Sequence, residues 1–283
     1  MYTFCGHLFA GQIHEMNEAW AVSVLDKELF VLPSPTSTQL IVYDAVDYTS
    51  HGFISIPVQS GVNFVDITAC SFYHCFYLAD AGSSHMIRLQ LPSKLNEWKV
   101  GDTINAVSVT SAHYLLVLCG TKSKKLNLFT TDGVLHMTVE LQPDLVNVSS
   151  AVELMPGRYV VTHGREREDL HRVCVVDSES KVLHAYGGFP GSYHTLLNCP
   201  THVAVDNDGF VYVAEQNNNR LTVFTPTLDY IHCINGVLST DSNCPFRQVK
   251  IDKELRRMYV RYHYITINNL PCRPEYYVTM FEM

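Results

Sequence analysis

The sequence predicts an all-β fold: a six-bladed propeller of four-stranded antiparallel blades. Three observations carry this. A short apolar β-rich run recurs at residues 29–32, 76–79, 115–118, 159–161, 211–214 and 258–260. The centres fall near 30, 77, 116, 159, 212 and 259, a period of roughly 46 residues that marks stacked supersecondary units. Turn residues rather than a helical period separate the runs.

The clearest unit covers residues 200–233. Its first strand, 202–205, ends in Asp206-Asn207-Asp208-Gly209, a hairpin turn. A second strand covers 210–214, the loop Gln216-Asn217-Asn218-Asn219 follows, and strands at 220–224 and 230–234 complete a meander. First strands precede the other recurring runs at 21–24, 64–68, 106–109, 150–154 and 248–251, and third strands follow at 40–43, 86–89, 126–129 and 173–176. A lone blade leaves both faces bare, and radial packing buries them. The last unit has strands at 248–251, 257–262 and 276–281 and then runs out of chain. The β-rich opening run, residues 2–9, is expected to supply its fourth strand and close the ring. Residues 1–283 therefore read as a single domain.

Composition fits this reading. The chain has 283 residues, 47% hydrophobic and 17% charged, too apolar for a disordered chain. A net charge of −8 argues against gripping nucleic acid by bulk charge. No apolar run reaches the roughly 18 residues of a membrane span, and no basic segment leads into an apolar one at the N-terminus. None of the nine cysteines forms a Cys-x-x-Cys pair. Cys119 and Cys174 sit in apolar runs, where a thiol behaves as a small hydrophobe, so a reducing, cytoplasmic setting is expected.

The unit at 200–233 resembles an NHL repeat. The matching residues are Pro200, Val203-Ala204-Val205-Asp206, Asp208-Gly209, Val211-Tyr212-Val213-Ala214, Asn218-Asn219-Arg220 and Val223-Phe224. His202 and Glu215 stand where the family has Gly and Asp. The resemblance implies a propeller like the C-terminal, substrate-recognising domain of TRIM-NHL ubiquitin ligases, which bind proteins or RNA, in a setting of ubiquitin-dependent turnover. The same family includes an amidating lyase that holds metal with converging histidines. The zinc-binding RING and B-box patterns of the ligases are absent from this chain, so the expectation is the recognition domain alone.

Candidate binding residues follow from where loops emerge. The loops between second and third strands share one face, joined by the 187–199 connection between blades. They carry Lys122, Lys124, Lys125, Arg165, Arg167, Tyr193, His194, Asn217, Asn218, Asn219 and Arg220, basic and aromatic groups on consecutive blades. That mixture suits a protein partner, with single-stranded RNA as the alternative because bases stack and phosphates pair. Arg220 also has a structural reading, tying neighbouring strands together. The Asp206–Gly209 turn could hold calcium through its carboxylates, or be a plain hairpin turn. His202 is the one histidine on a first strand, and one inward histidine cannot hold zinc. No nucleophile elbow or phosphate loop is present. The expectation is a binding module rather than an enzyme, with a metal-dependent propeller enzyme of the amidating-lyase or lactonase kind as the further alternative, and with no cofactor, no metal, no membrane and no DNA, monomeric as an isolated domain.

Overall fold

The computed structural model describes residues 10–11, 19–59, 61–91, 94–120, 125–165, 167, 169–235, 245–264 and 275–283. The predicted closing strand at 2–9 lies outside the described residues. A two-residue strand, β1 (Ala10–Gly11), is recorded just after it.

Twenty-three further strands follow. The first sheet holds β2 (Ala21–Leu25), β3 (Glu28–Leu32), β4 (Gln39–Asp44) and β5 (Ser50–Ser55). The second holds β6 (Phe64–Cys70), β7 (Cys75–Asp80), β8 (His85–Gln90) and β9 (Lys94–Lys99). The third holds β10 (Ile104–Val109), β11 (Leu115–Cys119), β12 (Lys125–Phe129) and β13 (Leu135–Glu140). The fourth holds β14 (Ser150–Met155), β15 (Arg158–His163), β16 (His171–Asp177) and β17 (Val182–Gly188). The fifth holds β18 (Pro200–Val205), β19 (Val211–Glu215), β20 (Arg220–Phe224) and β21 (Tyr230–Asn235). These five sheets are uninterrupted antiparallel meanders. The remaining sheet is composite: β22 (Phe246–Asp252), β23 (Arg257–Tyr264) and β24 (Glu275–Glu282), with β1 pairing on β24 through Ala10–Phe281 and Gly11–Met280.

Period-2 alternation explains the packing. In β3, Phe30 and Leu32 join a core with Phe64, Ile67 and Leu78 of the second sheet, while Leu29 and Val31 join Tyr259, Val278 and Met280 of the composite sheet. The other cores also lie between successive sheets: Val117 with Tyr77, Leu116 with Val161, Val160 with Val213, and Tyr212 with Val260. Each second strand is buried on both faces, which is why it was the most visible signal in the sequence.

Turn chemistry sets the hairpins. Asp26 and Lys27 take positive φ (50° and 64°) in a two-residue turn whose twist matches the flanking strands. At Gly209, φ is +84°, and Asp206 caps the turn: its Oδ1 accepts from the Asp208 and Phe210 amides, and its Oδ2 accepts from the Tyr212 hydroxyl. With both oxygens used inside the hairpin, the plain-turn reading accounts for this segment. Gly164, at φ +93°, is more demanding. A Cβ there would press into the Leu170 carbonyl oxygen and the His171 backbone. Gly164→Ala is expected to destabilise the chain by at least ~1–3 kcal/mol, read as a lower urea midpoint at unchanged m.

The described cysteines carry free thiols. Burial pushes Cys119 and Cys174 up to about 12, so both pack as apolar groups, as their sequence context suggested. No helix among the described residues is long and apolar enough to cross a membrane.

Candidate functional site

Strands alternate in direction, so the loops after second strands and the inter-blade connections share one face. The hairpins that join first to second strands (a–b) and third to fourth strands (c–d) occupy the other. Of the predicted loop-face residues, Lys122 and Lys124 lie outside the described residues. Lys125 begins β12 and its ammonium meets Glu140 at 3.0 Å. Arg165 and Arg167 are exposed. Tyr193 is 76% exposed, and Phe189, which the sequence reading did not single out, is 70% exposed on the same connection. His194 is exposed, and its carbonyl accepts from the Tyr186 hydroxyl at 2.5 Å.

Arg220 is corrected from a contact residue to an internal clamp. It is buried, and its Nε donates to Glu215 Oε1 at 2.7 Å. Its terminal nitrogens donate to the carbonyls of Ser192 (2.9 Å), Tyr193 (3.2 Å) and Leu196 (2.7 Å). Glu215 is fully buried and also accepts from Thr222, from Asn218 Nδ2 at 2.6 Å and from the Asn198 amide at 3.0 Å. Asn218 further donates to the Gly191 carbonyl at 2.9 Å, and Asn217 to Asn198 Oδ1 at 3.0 Å. Asn219 supplies the positive φ of the turn, 50°. The Asn cluster therefore fastens the 191–198 connection, with Asn217 the exposed member. A planar donor fork suits this convergence of carbonyls and a carboxylate.

The same corner is rebuilt with other chemistry elsewhere. Asp80, in the position of Glu215, accepts from the Asn63 and Gly82 amides at 2.9 and 3.0 Å. In the fourth sheet His163 takes that place and accepts from Arg172 Nε at 3.1 Å, while Arg172 also donates to Asp144 at 2.5 Å. His163 and His171 are the last residue of β15 and the first of β16, both buried. Burial, then the Arg172 charge, lowers His163 to about 4. His171 Nδ1 accepts from the Cys199 amide at 2.9 Å.

A cavity of about 340 Å³ lies on the axis, lined by residues of all six first strands, among them Val24, Thr68, Ser108, Ser150, His202 and Lys250. It opens among the a–b hairpins, at the exposed Asp26, Lys27, Ser71, Lys253 and Glu254. A polar network crosses it. Asp66 Oδ1 accepts from the Ile67 amide (2.9 Å), Gln248 Nε2 (2.8 Å) and Lys250 Nζ (3.3 Å), and its Oδ2 from the Val107 amide (3.0 Å). Gln248 Oε1 accepts from the Val22 amide at 3.2 Å. His202 is 8% exposed, and neither ring nitrogen reaches hydrogen-bond geometry with a partner, although the Val203 backbone stands close enough to favour the protonated ring. Burial first, then Lys250 and Arg261, lower its pKa to about 3, against an opposing pull from Asp66. The sequence reading noticed His202 but missed Asp66, Gln248 and Lys250. The available signal was polar residues inside two apolar first strands, Asp66 in β6 and Gln248 with Lys250 in β22. Among the described residues no group of three or more His, Cys, Asp or Glu side chains is placed to hold a metal.

The NHL repeat family matches residues 197–224, the same unit that carries the resemblance. No curated protein matches the chain in sequence. Among solved structures, a streptogramin B lyase is similar at TM-score 0.61 and 10% identity, covering 98% of this chain and 87% of that one. A catalytically inactive histidine-to-alanine variant of virginiamycin B lyase from Staphylococcus aureus, solved with quinupristin, is similar at TM-score 0.63 and 10% identity, covering 98% and 99%. Hydrazine synthase of Kuenenia stuttgartiensis is similar at TM-score 0.58 and 12% identity, covering 95% and 81%. At these identities the likeness is one of fold. It nevertheless corrects the expectation that the chain is no enzyme: propellers of this shape include lyases, so a missing linear motif does not assign the chain to binding modules. What is established is an all-β propeller architecture of four-stranded antiparallel blades that contains an NHL repeat.

Proposed function

We propose that the chain recognises a protein partner on its loop face, centred on the connection between the fourth and fifth sheets, within one ring closed by the N-terminal segment against the last blade. The observation that carries this reading is the pair Phe189 and Tyr193. Both are large, exposed apolar rings on a connection whose backbone is held by Arg220, Glu215 and Asn218. Rigid exposed aromatics lose little entropy on binding and are typical interface anchors. Arg165 and Arg167, on the neighbouring loop, would form a polar rim. A substrate-recognition role like that of TRIM-NHL ligases is the specific form of this reading, supported by the NHL unit. The RNA alternative is weaker, because Arg220 is committed internally and Lys125 is paired.

Replacing Phe189 and Tyr193 together with Ser is expected to weaken binding of a purified partner, found by crosslinking and mass spectrometry, by tenfold or more. This corresponds to at least ~1.4 kcal/mol. The thermal midpoint should not change. Phe72→Ser with Met155→Ser, on the opposite face, serves as the control. Equal loss in both double variants, or loss in the control alone, would reject the loop face.

A further inference from the structure

We infer that the axial cavity binds a small carboxylate, held between the His202 ring and the Lys250 ammonium. The cavity, about 340 Å³, is far larger than one water requires. It is lined by a histidine that is 8% exposed and whose two ring nitrogens lack hydrogen-bond partners. Such a group destabilises the fold when left unsatisfied, and native folds rarely tolerate it without a role.

The surroundings specify what is missing. Asp66 cannot serve His202, because four donors already occupy its oxygens: the amides of Ile67 and Val107, Gln248 Nε2 and Lys250 Nζ. Lys250 uses one N–H on Asp66, and an ammonium carries three. Neutral His202 adds a ring N–H. Two donors therefore face a cavity that lacks an acceptor. Lys250 and Arg261 act on the ring against Asp66, and the cavity lining also carries Glu153 and Asp252, with Asp26, Lys27, Lys253 and Glu254 at its mouth. Arg261 itself stands over the Trp20 ring, 5.3 Å from its centroid. The two donors, rather than the net charge of the lining, select an anion beside the ring. A carboxylate supplies one charge and two acceptor oxygens, one for each donor. The apolar remainder of a short carboxylic acid would lie along Val203, Val249 and Val107, which also line the cavity.

The test uses the full chain with isotope-labelled histidine, followed by NMR while sodium acetate or sodium chloride is added at matched ionic strength. The His202 ring signals are assigned from their absence in His202→Met. The expected result is a saturable shift of these signals with acetate, at a midpoint roughly tenfold below that for chloride. Binding should tighten as the pH falls from neutrality, because the anion favours a protonated ring. Lys250→Met should abolish saturation. A His202 signal that does not move, or that moves at the same midpoint with chloride, would overturn the proposal. If His202→Met fails to fold, His202→Gln supplies the assignment, and the wild-type titration then decides.

Discussion

Glu215→Ala is expected to remove roughly 3–5 kcal/mol of stability, a large part of the ~5–15 kcal/mol available to a domain. Glu215 is fully buried and accepts from five donors: Arg220 Nε and a terminal Arg220 nitrogen, Thr222, Asn218 and the Asn198 amide. Truncation leaves the buried Arg220 guanidinium without its counter-charge, and it also frees the Asn198 and Asn218 donors. The loss therefore exceeds that of an exposed pair, which is worth ~0–1 kcal/mol. The pair Lys125–Glu140 on the same face is the internal comparison, its side chains 42% and 73% exposed. Lys125→Ala should cost under ~1 kcal/mol. Urea denaturation measures both, and hydrogen exchange at residues 191–198 should accelerate in Glu215→Ala. A loss below ~1 kcal/mol would show that the clamp contributes little. If the clamp also presents Tyr193, the same variant should weaken partner binding.

Acid should destabilise the chain well before its carboxylates protonate. His163 and His202 are lowered to about 4 and about 3 in the fold, both chiefly by burial, whereas an unfolded histidine titrates near ~6.5. Above that value both states are neutral and the two histidines contribute nothing to the pH dependence. Below it the unfolded chain takes up protons that the fold refuses, so stability falls with pH until the folded values are reached. The window runs from about 6.5 down to about 4 for His163 and about 3 for His202. Each histidine contributes a slope approaching ~1.4 kcal/mol per pH unit, so the pair approaches ~2.7. His232, also lowered by burial, acts in the same direction. Asp144, held down chiefly by its hydrogen bond from Arg172, adds its own loss only at lower pH. Unfolding free energies measured by urea at several pH values between 7 and 4.5 check this. His163→Gln preserves the acceptor for Arg172, and His202→Met suits the valines lining the cavity. Together they should flatten the slope. A slope equal to wild type would show that these histidines are not the source.

How far the sequence could be read follows from the range of the forces involved. The second strands were visible because each is buried on both faces, which leaves short unbroken apolar runs such as 29–32 and 115–118. The Asp206 hairpin was visible because turn chemistry is decided within four residues. The closing strand was less tractable. The expected segment, 2–9, lies outside the described residues, and the recorded pairing on β24 involves Ala10 and Gly11. The loop-face residues separated by environment rather than by type. Arg165 lies in a loop after a second strand and Arg220 ends one, yet the first is exposed and the second is buried beneath four carbonyl and carboxylate groups. Nothing near Arg220 in the chain announces the Ser192, Tyr193 and Leu196 carbonyls, which approach it from the preceding blade connection.

The sequence by itself determined the strand rhythm, the hairpins and the NHL unit, because side-chain alternation and turn preference act between near neighbours. The tertiary structure alone decided the axial site. Asp66 and Gln248 are 182 positions apart, and Val22 and Gln248 are 226 apart. They meet because first strands from different sheets converge on one axis. There a buried histidine without a partner and a lysine sharing its only recorded carboxylate acquire a chemistry that neither has in the linear chain.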